Sequence, residues 1–281
     1  YHPSVAAYFA AKARLFDSLL PRGASAVVNA DVPEFTHLAG IAQRRGLTLI
    51  DYGRGARVLR LEALAPEALG QRMTLRHAGQ LHEIMLPLAG AFQAMNALAA
   101  LGLVLATGLT FAAALGGLSK LAGVRGRMEL VARHANGAPI YVDYAHTPDA
   151  LTTVLGALRP HVRGKLVALF GAGGDRDPGK RPLMGAAVAA AADAAIVTDD
   201  NPRSEDPAKI RAAILAACPI AREIPGRAEA IRQAVRALSP GDALLLAGKG
   251  HEDYQIIGDR TLPFDDAECA RAAVAELGAA A

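Results

Sequence analysis

The sequence of 281 residues contains only two cysteines, Cys218 and Cys269, and no tryptophan. The cysteines form no CxxC pair, and the chain is too long for a short disulfide-stabilised secreted domain, so a reducing, cytoplasmic setting is favoured. A large excess of charge of either sign is also lacking, because 30 Lys and Arg residues against 27 Asp and Glu residues leave a net charge of +3. Aromatic residues make up 5% of the chain and do not interleave with a basic run, which argues against nucleic-acid binding.

Apolar residues are abundant, at 52%, which excludes a disordered chain. The length of 281 residues suffices for one large or two ordinary domains. Residues 86–119 carry no charge at all, and a membrane-spanning helix needs about 20 apolar residues. This stretch is built largely from Ala and Gly, however, and it contains Pro87. Gly108 and Thr110 are typical of a helix end and a new N-cap, so we expect two buried helices of roughly 16 and 10 residues and no membrane span.

The first half of the chain has a mixed α/β pattern. Residues 4–19 fit a helix capped by Ser4, with an apolar stripe of helical period along one face. A strand at 24–29, a helix at 32–44 and a strand at 47–52 are predicted next, and residues 56–88 alternate as antiparallel strands do. The helical stripe consists of Val5, Tyr8, Phe9, Leu15, Phe16 and Leu19.

The second half has a regular βαβ rhythm, which predicts an α/β fold with a mostly parallel sheet covered on both faces. Glycines and arginines at 123–126 interrupt the apolar pattern, so we expect one domain at 1–125 and a second at 126–281. The predicted strands are 140–142, 165–170, 194–198 and 243–247, and the predicted helices lie near 148–159, 181–192, 207–217, 227–238 and 266–277.

Four polar segments each follow one of these predicted strands. They are DYAHTPD (143–149), GAGGDRDPGKR (171–181), DDNPRSEDP (199–207) and GKGHEDYQ (248–255). In an open parallel sheet the loops at the carboxyl ends of the strands line one crevice, where ligands bind. Connecting loops are commonly polar, so one such loop means little. Four that are rich in Gly and charge predict a single polar site.

The residue types in these loops indicate an amino-acid-like ligand. Asn201-Pro202 predicts a rigid turn that fixes the direction of Arg203, whose planar guanidinium fits a carboxylate with two hydrogen bonds. Arg176 can supply a second guanidinium, and Glu252 suits an ammonium group. The alternative, which the sequence leaves open, is that Arg203 and Glu252 form surface ion pairs of about 0–1 kcal/mol.

Two apparent nucleotide motifs are weak. Residues 174–181 resemble the phosphate loop GxxxxGK[ST], but Arg181 replaces the required hydroxyl, and Asp175 and Asp177 put negative charge where phosphate would bind. The G-x-G triplets at 53–55, 171–173 and 248–250 lack the third glycine of the dinucleotide fingerprint. We therefore expect neither a phosphate loop here nor a nicotinamide cofactor.

Lys12 continues the apolar stripe of the first helix, so its amine is predicted to point toward the core side. Most lysines at such positions extend to solvent. The other possibility is a partly desolvated, neutral lysine that takes up carbon dioxide and becomes a carbamate, an oxygen ligand for Mg²⁺. The sequence alone leaves both interpretations open.

The ordered motifs resemble those of the Mur ligases over essentially the whole chain, most closely the branch that adds diaminopimelate. The segments that carry the resemblance are YHPSVAAYFAAKARLF, GAFQAMNALAA, GVRGRMELV, VDYAHTPDAL, GAGGDRDPGKRPLMG, TDDNPRSEDP and GKGHEDYQ. The resemblance implies the latter part of a central ATPase domain followed by a Rossmann-like C-terminal domain that brings the incoming amino acid. It also implies a cytoplasmic reaction of peptidoglycan synthesis that uses ATP and Mg²⁺. In that reaction ATP activates a D-Glu carboxylate of the UDP-sugar dipeptide as an acyl phosphate, and the amine of diaminopimelate then attacks.

The resemblance also implies roles for individual residues. Lys12 matches the carbamylated lysine that binds Mg²⁺. Residues that match nucleotide contacts are Asn96, Arg127, Asp143 and, more weakly, His146. Residues that match the diaminopimelate site are Arg176, Asp200, Asn201, Pro202, Arg203, Gly248 and Glu252.

The sequence departs from the family pattern in four respects. The phosphate loop, the first domain and the metal-binding His expected just before Tyr1 are absent, and Gln93 stands where the family usually has Asn. We therefore expect a piece of a longer enzyme that does not complete the reaction alone. Two other functions stay open: an amino-acid-binding module without turnover, and another ligase of the superfamily such as a folate-polyglutamylating enzyme, although DNPR and GHEDYQ argue against the latter.

Overall fold

The computed structural model describes residues 2–67 and 70–279. Contacts between Cα atoms divide the chain into two compact units, Tyr1–Ala122 and Gly123–Ala281. Within the described residues, no helix combines the length and the apolar character that crossing a bilayer requires.

The first unit contains a five-stranded mixed sheet. Its strands are β1 (Ser25–Asn29), β2 (Thr48–Gly53), β3 (Leu59–Glu67), β4 (Gly70–His77) and β5 (Gln80–Leu86). Its helices are α1 (Val5–Arg14), α2 (Phe35–Arg45), α3 (Ala91–Ala106) and α4 (Phe111–Leu118). The strands lie in sequence order; β1 to β3 run parallel, and β3 to β5 pair antiparallel as predicted. The uncharged stretch forms α3 and α4, and Leu98 and Leu101 of α3 pack into the apolar core on the sheet.

The first helix departs from its prediction. The helix α1 ends at Arg14, and Leu15–Leu19 continue as a wider π-helical turn, so one helical period does not hold over residues 4–19. The predicted stripe is also not a buried face, because Val5 is 84% exposed and Leu19 is 65% exposed. The α1 residue that is buried is Ala13, and Phe16 packs partly against a small core that includes Val28.

The second unit contains a six-stranded sheet and a separate hairpin. Its strands are β6 (Glu129–Arg133), β7 (Pro139–Asp143), β8 (Leu166–Phe170), β9 (Ala194–Val197), β10 (Ala221–Glu223), β11 (Ala243–Ala247), β12 (Tyr254–Ile257) and β13 (Arg260–Pro263). Its helices are α5 (Pro148–Leu158), α6 (Lys180–Ala191), α7 (Pro207–Leu215), α8 (Arg227–Arg236) and α9 (Asp266–Ala279).

The large sheet has the order β10-β9-β8-β11-β7-β6, and only the β6–β7 pair is antiparallel. The predicted α/β class with a mostly parallel sheet is therefore confirmed. All five residues of β11 are buried at the centre of the sheet, which fits their continuous apolar run. Because β7, β8, β9 and β11 are parallel, the loops that follow them leave the same edge of the sheet.

A buried ion pair holds the start of α8 to the start of α9. The Nε and Nη2 atoms of Arg227 donate to the two carboxylate oxygens of Asp266 at 2.6 and 2.7 Å, and both side chains are 0% exposed. Nη2 also donates to the carbonyl oxygen of Ala247 at 2.9 Å, where β11 ends. The pair therefore anchors the C-terminal end of β11 to the first residues of α8 and α9.

We expect Asp266→Ala to lower the free energy of unfolding by about 3–5 kcal/mol, because the variant leaves the guanidinium of Arg227 buried without its counter-charge. The matched control is Glu276→Ala, which removes an ion pair with Arg236 whose side chains are 57% and 48% exposed, and which is expected to cost about 0–1 kcal/mol. Urea unfolding of both variants measures the difference. Equal, small losses would contradict the structural role of the buried pair.

Candidate amino-acid site

A polar pocket of about 300 Å³ opens at the carboxyl edge of the second unit's sheet. All four predicted loops contribute to it, so the prediction of a shared crevice is confirmed. The lining residues are Tyr144, His146, Gly171, Ala172, Gly173, Arg176, Lys180, Asp200, Asn201, Arg203, Gly248, Glu252 and Tyr254. Arg176, Arg203 and Glu252 therefore face one cavity, although they come from three different loops.

The side-chain amide of Asn201 connects the loop after β9 to the loop after β11. Its Nδ2 donates to Oε2 of Glu252 at 3.0 Å. Its Oδ1 accepts hydrogen bonds from Nζ of Lys249 at 3.1 Å and from the backbone N–H of Ile256 at 3.0 Å. Asn201 is itself buried, so these bonds form where water competes weakly.

Arg203 is held in an unusual backbone conformation, with a φ of +52°. The hairpin β12–β13 fixes it, because the N–H of Arg203 donates to the carbonyl oxygen of Ile256 at 3.1 Å and its carbonyl oxygen accepts from Gly258 at 2.7 Å. In the guanidinium, Nη1 donates to the carbonyl oxygen of Gly174 at 2.8 Å. The turn therefore presents the guanidinium to the pocket from a fixed backbone, as its sequence predicted.

The cations that line the pocket, Arg176, Lys180 and Arg203, form no ion pair in the part of the chain that the structure describes, although the charges of Arg203 and Arg176 contribute to lowering the pKa of Asp175. Arg176 is exposed and donates only to the carbonyl oxygen of its neighbour Asp175 at 3.3 Å, and no ion pair forms at Arg203 either. Lys180 donates weakly to the carbonyl oxygen of His146 at 3.4 Å. Surface ion pairing, the alternative interpretation of Arg203, is therefore wrong, and Glu252 pairs with a buried lysine instead.

The loop after β8 is tied to the loop after β9. The carboxylate of Asp175 accepts from the hydroxyl of Ser204 at 2.6 Å, and these bonds lower the pKa of Asp175 below its ordinary value. The N–H of Asp175 donates to Glu205 at 2.6 Å, and Glu205 also pairs with Arg181 at 2.8 Å. A Cβ at Gly174 would lie 1.9 Å from the carbonyl oxygen of Pro202, so the two loops are in direct backbone contact.

These bonds also exclude a phosphate loop at 174–181. In a phosphate loop the backbone N–H groups are free to meet a ligand. Here the N–H of Gly174 donates to the carbonyl oxygen of Asn201 at 2.9 Å, and that of Gly179 donates to Asp177 at 2.9 Å. The sequence-based rejection is confirmed.

Asp200 and Gly248 form the floor of the pocket. Oδ1 of Asp200 accepts from the N–H of Asn201 at 2.7 Å. Gly248 has a φ of +113°, and a Cβ there would lie 2.7 Å from Oδ2 of Asp200, so only glycine allows β11 to end this close. Pro202 is not among the lining residues; it is buried and supports the turn through its contact with Gly174.

Three of the four residues predicted to contact a nucleotide, Arg127, Asp143 and His146, lie in the second unit, and His146 lines the pocket. Both carboxylate oxygens of Asp143 accept hydrogen bonds at 2.7 Å, from the backbone N–H groups of Met128 and Ala145. Burial raises the pKa of Asp143 above its ordinary value, although these two hydrogen bonds act in the opposite direction. Asp143 therefore shapes the chain locally and does not line the pocket. The guanidinium of Arg127 lies 4.6 Å from the ring centroid of Tyr144, and the ring of His146 lies 4.5 Å from that centroid.

Lys12 and Asn96 belong to the first unit. Lys12 is exposed, with Nζ 5.4 Å from the ring centroid of Tyr8. Its amine therefore does not point toward the core, and of the two interpretations that the sequence left open the structure agrees with a lysine that extends to solvent. Asn96 is exposed on α3 and its Nδ2 donates to Oε1 of Gln93 at 3.2 Å. Among the described residues, no group of three or more His, Cys, Asp or Glu side chains is placed to hold a metal ion.

Sequence reasoning missed three lining side chains, Tyr144, Lys180 and Tyr254, and the buried Lys249 beneath them. Lys249 and Lys180 lie inside the GKGHEDYQ and GAGGDRDPGKR motifs, but a lysine in a loop is usually exposed, so nothing in the local sequence indicates that Lys249 is buried. The hairpin β12–β13 was missed as well, because its strands have four residues each and lack a regular alternation.

Comparisons with known proteins place both halves of the chain in one context. Residues 1–104 match the Mur ligase middle domain, and residues 126–250 match the Mur ligase glutamate ligase domain. A UDP-N-acetylmuramoyl-L-alanyl-D-glutamate–2,6-diaminopimelate ligase of Caulobacter vibrioides is 56% identical over 266 residues, covering 95% of this chain and 55% of that protein.

Two further comparisons agree with these. The Agrobacterium fabrum ligase of the same name is 51% identical, covering 99% of this chain and 57% of its own length. A solved structure of a ligase of that name superposes with a TM-score of 0.74 at 36% identity, covering 99% of this chain and 58% of that one. The chain thus spans little more than half the length of these relatives.

We expect Ser204→Ala to raise the pKa of Asp175 toward its ordinary value, because the variant removes the strongest hydrogen bond to that carboxylate. The folded pKa is lowered, so the carboxylate stabilises the fold at pH values above the unfolded pKa, and this contribution is lost as the pH falls through the folded pKa. An NMR titration of the Asp175 carboxyl carbon measures the shift, with the exposed Ser239→Ala as the control. An unchanged titration in Ser204→Ala would contradict the proposed tie between the loops.

Proposed function

The chain belongs to the Mur ligase family, and we propose that its pocket binds meso-2,6-diaminopimelate for an ATP-dependent ligase that adds this amino acid to UDP-N-acetylmuramoyl-L-alanyl-D-glutamate. The names of the relatives suggest the substrates, and the reaction would belong to peptidoglycan precursor synthesis in the cytoplasm. The observation that carries the proposal is the pair of guanidinium groups, at Arg176 and Arg203, that face the pocket and donate only to backbone carbonyl oxygens among the described residues.

The chemistry of the ligand follows from these groups. Diaminopimelate has an amino-acid group at each end, so one end can enter the pocket while the amine of the other end stays available to react. The guanidinium groups and Nδ2 of Asn201 are donors for the carboxylate of the bound end. Glu252 and Asp200 are acceptors for its ammonium group. Lysine has the same chain but lacks that carboxylate, and would leave the cations unpaired.

ATP and Mg²⁺ come into the proposal from the family. When bound, ATP would activate the carboxylate that the amine attacks. In this chain Lys12 could offer an oxygen to Mg²⁺ only as a carbamate, and its amine is exposed without a cluster of further ligands among the described residues. What this chain's own residues do in the reaction is therefore to bind and orient the amino acid. Arg127, His146 and Asn96 stay proposed nucleotide contacts. Asp143 stays one as well, although both of its carboxylate oxygens already accept backbone N–H groups.

We expect Arg203→Ala to weaken diaminopimelate binding by about 2–4 kcal/mol, or about thirtyfold or more, because it removes a charged donor from a partly buried site. Calorimetry of the 281-residue chain measures the affinity. Arg222→Ala, at an exposed position of β10, is the matched control and is expected to bind like the unchanged chain.

Two competitor ligands sharpen this test. Lysine is expected to bind roughly a thousandfold more weakly than diaminopimelate, and the gap is expected to narrow in Arg203→Ala. Equal affinities for diaminopimelate, lysine and glutamate in the unchanged chain would contradict the substrate assignment. An assay of ATP hydrolysis on the same chain then separates a binding module, which shows none, from a chain that turns over alone.

A further inference from the structure

Lys249 lies beneath the pocket as a lysine that is 0% exposed. Its ammonium nitrogen donates to Oδ1 of Asn201 at 3.1 Å and to Oε2 of Glu252 at 3.3 Å. We propose that Lys249 is a positioning residue, whose buried ammonium holds the amide of Asn201 and the carboxylate of Glu252 in the orientation in which they meet a ligand. The identity of that ligand rests on the proposed function, whereas the positioning itself does not.

The ammonium group is paired with its surroundings. It has three N–H donors, two of which are used by Asn201 and Glu252. Nζ also lies 5.6 Å from the ring centroid of Tyr254, whose π face attracts a cation. A buried charge is tolerated only when it is paired in this way. The three partners come from the loop after β9, the loop after β11 and the hairpin, so one ammonium group links three segments.

The ammonium group determines which end of the Asn201 amide faces Glu252. Oδ1 already accepts from the N–H of Ile256, and Lys249 adds a second, charged donor on the same oxygen. A flipped amide would place its NH₂ group against two donors and its oxygen against the carboxylate of Glu252, which is unfavourable at every contact. Nδ2 therefore stays toward Glu252 and keeps its second N–H for a carboxylate of the ligand.

Lys249 also provides the counter-charge that Glu252 needs. The side chain of Glu252 is only 18% exposed, so hydration compensates its charge poorly. With Lys249 paired to it, Glu252 can hold its place at the pocket and still offer Oε1 to an ammonium group. Without Lys249, the carboxylate would turn to solvent or toward Arg203, and the acceptor would leave the position that an amino-acid ligand requires.

The first test uses the unchanged chain without any ligand. In nitrogen–proton correlation spectra at mildly acidic pH, the ammonium protons of Lys249 are expected to exchange with water at least about tenfold more slowly than those of the exposed Lys209. Lys249→Met identifies the signal by its loss. An ammonium group that exchanges as fast as that of Lys209 would overturn the proposal, whatever the fold does in the variant.

The second test follows the amide of Asn201, whose paired signals are identified by their loss in Asn201→Ala. In Lys249→Met we expect these signals to shift and their exchange with water to rise at least about tenfold, because the amide loses a partner on Oδ1 and a fixed partner on Nδ2. Lys209→Met, the matched control, is expected to leave them unchanged. Unchanged Asn201 signals in Lys249→Met would contradict the positioning role.

The third test connects the role to the ligand. Calorimetry with diaminopimelate is expected to show at least about tenfold weaker binding for Lys249→Met than for the unchanged chain. When Lys249→Met is added to the Asn201→Ala variant, the further loss of affinity is expected to be smaller. A merely structural role would give equal losses in both backgrounds, which would overturn the proposal. If the unchanged chain binds no diaminopimelate, the proposed function fails, while the two spectroscopic tests still decide the role of Lys249.

Discussion

The buried amide of Asn201 is the contact on which the pocket depends. Its three hydrogen bonds, to Lys249, Glu252 and the backbone of Ile256, join the loop after β9 to the loop after β11 and to the hairpin β12–β13. Arg203 follows two residues later on the same turn, so the donor and the acceptor sides of the pocket are set by one short segment. The loop after β9, the loop after β11 and the hairpin are thereby held in a single arrangement.

The charge pattern gives this arrangement its chemical meaning. A cation that is partly buried without an ion pair, as Arg203 is, is costly, and it can mark the place of an anion that is supplied from outside. Glu252, a carboxylate of the same pocket, is already paired with Lys249. The pocket therefore keeps cationic and anionic groups apart, which is what recognition of a zwitterion requires.

The sequence predicted much of the second unit because its signals are strong. Continuous apolar runs such as β11, separated by capped helices, leave few alternatives to a parallel sheet, and the carboxyl-edge rule then brings Arg176, Arg203 and Glu252 together. It failed where tertiary contacts decide. The burial of Lys249 involves Asn201, which lies 48 residues away in the sequence, and the periodicity of residues 4–19 does not reveal that the helix changes to a π-helical turn at Leu15.

A crystal structure of the chain with meso-2,6-diaminopimelate tests the central claim most directly. One end of the ligand should lie in the pocket, with its carboxylate against Nδ2 of Asn201 and the guanidinium groups of Arg176 and Arg203, and its ammonium group against Glu252. A ligand bound away from these four side chains, or bound in the pocket with its carboxylate toward Glu252, would contradict the account.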